Sequence, residues 1–189
     1  VMLPVYNQTA EHLSEMFAWS TGAAHLDLPH QLAYGLMVSG ASNYKEGFTV
    51  IDQSTPQQVC SFDDDWLNTL PPVLHYCQRY FLGDWFFSKY KLPKNFLDCD
   101  QALLKDPIDH ESPDQIVKHE TSVTPNGDLK SIPKPERLQQ AFFLCQIIHM
   151  VNEAAIFWKQ QHCEAPNLQK TYVFPMDQGK TRVPVSSSS

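Results

Sequence analysis

Residues 135–162 carry the feature that most constrains this fold. Leu138, Phe142, Cys145, Ile148, Val151, Ala155 and Trp158 recur every three or four residues and make one apolar stripe along a long helix. Proline suits a first helical turn, so Pro135 marks the start, with Glu136 behind it. Pro166 stands just beyond the end. A helix with one apolar face needs a layer to bury it, so the stripe is expected to be core. The chain has 189 residues, enough for one domain with a sizeable core. At 42 % hydrophobic and 12 % aromatic, it is expected to be globular. The formal charge of -7 argues against a nucleic-acid partner, which demands a basic face. No uninterrupted apolar run approaches the ~20 residues of a membrane span.

Upstream, residues Thr9 to Leu26 read as a helix that Asn7 or Thr9 can cap and that Pro29 stops. Gln31 to Val38 reads as a short strand or helical turn, Gly40 to Gly47 as a polar loop, and Phe48 to Ile51 as a β-prone run. Gln53 to Gln58 reads as a turn-rich connection. Val73 to Tyr80, short, apolar and preceded by Pro71-Pro72, reads as one buried strand. Phe86 to Lys91 extends it or begins a loop. Asp98 to Pro135 reads as mostly irregular, with a turn at Pro125-Asn126-Gly127-Asp128. Ser186 to Ser189 reads as a tail, and the chain as a fragment or a processed product.

The segment from Leu74 to Tyr90 mixes aromatics with a polar set suited to a ligand pocket. The imidazole of His75 suits a metal, and Arg79 and Lys89 suit a diphosphate. Gly83 would let a ligand approach the backbone, and Tyr76 and Trp85 would offer stacking faces. Packing in a core is the competing role for those aromatics. Ser39 opens a small polar loop that suits sugar hydroxyls. That loop lacks the glycine spacing of a phosphate cradle, and no G-x-S-x-G elbow occurs. Asp63, Asp64 and Asp65 offer oxygens to magnesium or manganese; a solvated loop or a helix N-terminus is the competing reading. Of Cys60, Cys77, Cys99, Cys145 and Cys163, none form C-x-x-C. Cys77 and Cys99 flank the site-like segment and are the pairing expected. Asn7-Gln8-Thr9 is a glycosylation sequon, relevant to a secreted chain.

His25-Leu26-Asp27-Leu28-Pro29-His30-Gln31-Leu32, then Gly35 to Ser39, then Val73 to Tyr80 with Gly83, Trp85 and Lys89, form an ordered set. This set resembles the C-terminal part of the peptidyl serine α-galactosyltransferases and hydroxyproline O-arabinosyltransferases of plants and algae. The resemblance covers about Ala10 to Pro107, and the galactosyltransferase branch is the nearer match. It implies an α/β fold of GT-A type with a Rossmann-like nucleotide-sugar half and long flanking helices. Residues 1–107 would be the C-terminal part of that domain, 108–134 an irregular connection, 135–163 a helix packed on it, and 164–189 a tail. The resemblance also implies a UDP-sugar donor, a secreted or cell-wall protein acceptor, a divalent metal such as manganese, and a Golgi or ER lumenal setting. His75 matches by context the late histidine that completes the metal site. Arg79, Gly83, Trp85, Lys89 and Ser39 would serve the donor. The D-x-D motif of such enzymes is expected upstream, because Asp63-Asp64-Asp65 stands in the wrong order for it. Transfer with retention is implied, and no nucleophile is identified. A non-catalytic sugar- or protein-binding relative is the alternative.

Overall fold

The computed structural model describes residues 14–29, 35–39, 47–76, 79–123 and 129–172. The sequon, the helix cap at Asn7 or Thr9, most of the Gly40–Gly47 loop, Cys77, the 125–128 turn and the serine tail lie outside those residues. The chain divides into two compact units, Val1–Tyr34 and Gly35–Ser189.

The first unit holds α1 (Ser14–His25). It ends before Pro29 is reached. Asp27 takes a left-handed conformation at φ 51°. The Leu28 amide donates to the Ala23 carbonyl at 2.9 Å and the Asp27 amide to Ala24 at 3.3 Å. This double closure satisfies the last carbonyls, and aspartate is one of the few non-glycine residues that tolerate the geometry.

The second unit is built round α6 (Lys134–His162). Every residue from Gln139 to Ile148 is buried, so the helix is covered on all sides over that span. By length and composition it would suffice to cross a bilayer, since its few charges are spread along an apolar helix. Its packing makes it the core helix. The stripe is buried or, at Leu138 and Val151, half-buried against the core as far as Ala155, but Trp158 is 45 % exposed. The unexpected part is polar. Gln140 accepts from the Phe81 amide at 3.1 Å. Gln146 donates to the carbonyls of Val59 and Ser61 at 3.2 and 2.9 Å. Asn152 grips both backbone groups of Leu104, each at 2.9 Å. Lys159, fully buried, donates to the carbonyls of Gln101 and Asn167. Burial pulls its ammonium below the usual lysine range. Short elements and the loops between them leave backbone groups without partners of their own, and these side chains supply them.

Three one-turn helices precede the first hairpin: α2 (Thr49–Asp52), α3 (Pro56–Val59) and α4 (Asp64–Leu67). The β-prone run at Phe48 is therefore helical. A single turn puts Phe48 and Ile51 on one side, where both are buried and Phe48 meets Phe143 edge-on at 5.8 Å. Packing overrides strand propensity here. The turn-rich 53–58 connection holds a capping box: Thr55 and Gln58 cap each other's backbone, with Pro56 in the first turn. Asp63 caps α4, accepting from the amides of Asp65 and Trp66 at 2.9 and 3.3 Å. The acidic triplet is thus a helix N-terminus.

The strands form four two-stranded pairs among the described residues. β1 (Met37–Ser39) lies parallel to β2 (Val73–His75). β3 (Tyr80–Leu82) and β4 (Trp85–Phe87) make a hairpin closed by Gly83 and Asp84. The expected single buried strand over 73–80 is therefore two strands. Val73 and His75 are exposed, whereas Tyr80 and Leu82 are buried. A glycine opening a two-residue turn between apolar pairs is the hairpin signal that a one-strand reading misses. The 98–135 stretch is more ordered than expected. It holds β5 (Leu103–Leu104), a 3₁₀ turn at Pro107–Asp109, α5 (Pro113–Lys118), β6 (Thr121–Val123) and β7 (Leu129–Ser131). β6 and β7 pair antiparallel, and β5 pairs parallel with β8 (Lys170–Tyr172).

The disulfides are Cys60–Cys145, buried between α3 and α6, and Cys99–Cys163, near the surface where α6 ends. The expected Cys77–Cys99 pairing is corrected: proximity in sequence to a site-like segment does not bring sulfurs together, and Cys163 closes on Cys99 from the helix terminus.

Candidate functional site

Ser39 and His75 were separate candidates in the sequence and are neighbours in space. They end β1 and β2 in register, and Ser39 Oγ lies 2.9 Å from His75 Nδ1. Alternation turns Val38 and Leu74 toward the core and presents His75 to solvent. Where the hydroxyl accepts from Nδ1–H, the ring is fixed with its Nε2 lone pair directed away from Ser39. The next residue anchors the edge. Tyr76 Oη donates to the Phe87 carbonyl at 3.1 Å and accepts from the Lys89 amide at 3.1 Å. Tyr76 thereby pins the backbone at Lys89 to the end of its own side chain. Tyr76 packs edge-on to Phe87 at 5.2 Å, which makes it a packing residue. Arg79 and Lys89 are both exposed, and the Lys89 ammonium lies 5.3 Å from the Tyr90 ring centre.

Gly83 and Trp85 stand elsewhere in the contact network. Trp85 is 5 % exposed, and its indole N–H donates to Glu111 Oε1 at 3.0 Å. Its faces are not presented as a stacking platform. Glu111 Oε2 pairs with His119 Nε2 at 2.7 Å. Gly83, at φ 58°, lies under the His119 ring: a β-carbon there would sit 2.5 Å from His119 Cγ. Trp85, Glu111 and His119 form a chain of hydrogen bonds closed by Gly83. Neither Glu111 nor His119 stands out by spacing, because a turn and α5 bring them to the hairpin.

Gly83→Ala is therefore expected to destabilise. The left-handed conformation alone costs about 1–2 kcal/mol for alanine, and His119 must also swing off Glu111. Chemical denaturation would read the loss. A change within about 0.5 kcal/mol would show that the turn relaxes freely.

Among the described residues no three His, Cys, Asp or Glu side chains are grouped to hold a metal ion. His75 contributes one nitrogen, and Asp63 is occupied in capping α4.

No family model matches the chain, and no curated protein or solved structure is significantly similar to it.

Proposed function

We propose that this chain is part of a GT-A type glycosyltransferase. It would take a sugar, galactose in the first instance and arabinose as the alternative, from a UDP-sugar. Serine or hydroxyproline of a secreted or cell-wall protein would accept it, with retention, in the Golgi or ER lumen. The observation that carries this reading is the Ser39–His75 contact at the carboxyl ends of two parallel strands. In open α/β sheets ligands bind outside that edge. The two disulfides suit an oxidising lumen.

Departure of a nucleoside diphosphate builds negative charge that fixed donors must meet. His75, oriented by Ser39, would donate to a phosphate oxygen when protonated. The exposed Arg79 and Lys89 would add positive charge along the same segment. The second reading is a sugar- or protein-binding module without transfer. The burial of Trp85, which takes its faces away from a sugar ring, favours it.

Calorimetry with UDP-galactose and UDP-arabinofuranose, each with and without manganese, separates these. Saturable binding that weakens about tenfold or more (~1.4 kcal/mol) in His75→Ala, with the fold retained, is the expected result. Equal affinity in wild type and His75→Ala would remove the histidine from the site. No binding by folded protein would overturn donor binding by this chain.

A further inference from the structure

Asp106 is a fully buried ionisable group that the proposed site does not use. Its side chain is 0 % exposed, and neither carboxylate oxygen has a hydrogen-bond partner. Three charged or titratable groups face it from three elements. His149 Nδ1, on α6, lies 3.6 Å away. Lys170 Nζ, on β8, lies 3.8 Å away and also reaches Asp109 of the 3₁₀ turn at 3.2 Å. The Ile108 amide directs its dipole at the carboxylate without completing a hydrogen bond. Phe62 stacks on the His149 ring, with centres 3.5 Å apart and planes 14° apart, and fixes its position. The surrounding segment is otherwise held by amides: Asn152 grips Leu104, and the Leu103 amide donates to Gln169 at 2.8 Å.

We propose that Asp106, His149, Lys170 and Asp109 form a pH-responsive latch that fastens residues 103–109 and β8 to α6, tight while Asp106 is protonated and looser once it ionises. A buried carboxylate without hydrogen bonds costs free energy that the neutral acid does not. Burial accordingly pushes the Asp106 carboxyl above its ordinary value of 3.8; Lys170 opposes this, Asp109 adds to it, and His149 opposes it. The folded chain thus retains a proton that the unfolded chain releases. That contribution is complete below the unfolded value and is lost as pH rises through the raised folded value. Ionisation leaves Lys170 shared between two carboxylates, with neither oxygen of the buried one hydrogen-bonded. The latch is independent of the sugar-transfer reading.

The test is the pH dependence of the whole chain and of Asp106→Asn, which keeps the shape and removes the charge. Hydrogen exchange at the Leu103 and Leu104 amides, corrected for intrinsic rate, would be followed from about pH 4 to about pH 8, a range spanning ordinary and raised carboxyl values. Wild type is expected to open severalfold more often as pH rises, while Asp106→Asn stays flat. The Tm of the variant should overtake that of wild type over the same range. Parallel profiles for the two proteins would overturn the proposal. Should Asp106→Asn not fold, the carboxyl ¹³C titration of wild-type Asp106 decides: a midpoint above the ordinary aspartate range supports the latch, and an ordinary midpoint overturns it.

Discussion

Replacing both Cys60 and Cys145 with alanine is expected to remove about 4.5 kcal/mol of stability. The bridge joins residues 85 apart, and a loop of that length loses much chain entropy when it is tied in the unfolded state. Domains of this kind have only about 5–15 kcal/mol in total, so one bond holds a large share of the margin. Both sulfurs are buried, and the bridge sits where Gln146 holds the carbonyls of Val59 and Ser61. A fall in Tm of about 10–18 °C follows for a chain of this length, read by calorimetry under non-reducing conditions. A fall under about 3 °C would mean that α3 and α6 already meet in the unfolded chain. The second bridge should behave differently toward reductant. Thiol–disulfide exchange needs access to sulfur, and Cys99 is exposed while Cys60 and Cys145 are not. Partial reduction followed by mass mapping should show Cys99–Cys163 opening first. The reverse order would contradict the burial described here.

Phe143→Ala is expected to cost about 3–5 kcal/mol. Phe143 is fully buried on α6 and stacks on Tyr80 with ring centres 4.0 Å apart. Phe48 and Phe142 meet it edge-on at 5.8 and 5.5 Å. It therefore joins the core helix to both α2 and the β3–β4 hairpin, and no single neighbour can close the void. Leucine should recover most of the volume and lose about 1–2 kcal/mol. Phe157→Ala is the control: that side chain is 64 % exposed on the same helix, and its loss should stay within about 0.5 kcal/mol. Urea denaturation of the three variants gives the comparison. Equal effects at positions 143 and 157 would show that the hairpin does not dock on α6.

Local signals were enough for the elements whose cause is local. The stripe from Leu138 to Ala155 marked α6 and its buried face, because helical periodicity is written in residue spacing. Asp63-Asp64-Asp65 could be read as a helix N-terminus, because a cap needs only its own next three residues. The capping box at Thr55-Pro56-Gln57-Gln58 and the glycine turn at Gly83 were equally local, though each sits in a stretch that composition marks as loop or strand. The individual candidates Ser39 and His75 could be named, but not their contact, since that depends on parallel pairing across 36 residues.

What remained was decided by tertiary structure. Phe48–Ile51 became helical because the core offers a place for both side chains on one face. Cys99 found Cys163 because α6 ends beside it. Gly83 and Trp85 meet Glu111 and His119 because α5 folds those two residues back onto the hairpin. The buried Gln140, Gln146, Asn152 and Lys159 have no periodic signature as core residues. They are inside because distant backbone groups need partners there, and such a need exists only once the chain has closed on itself.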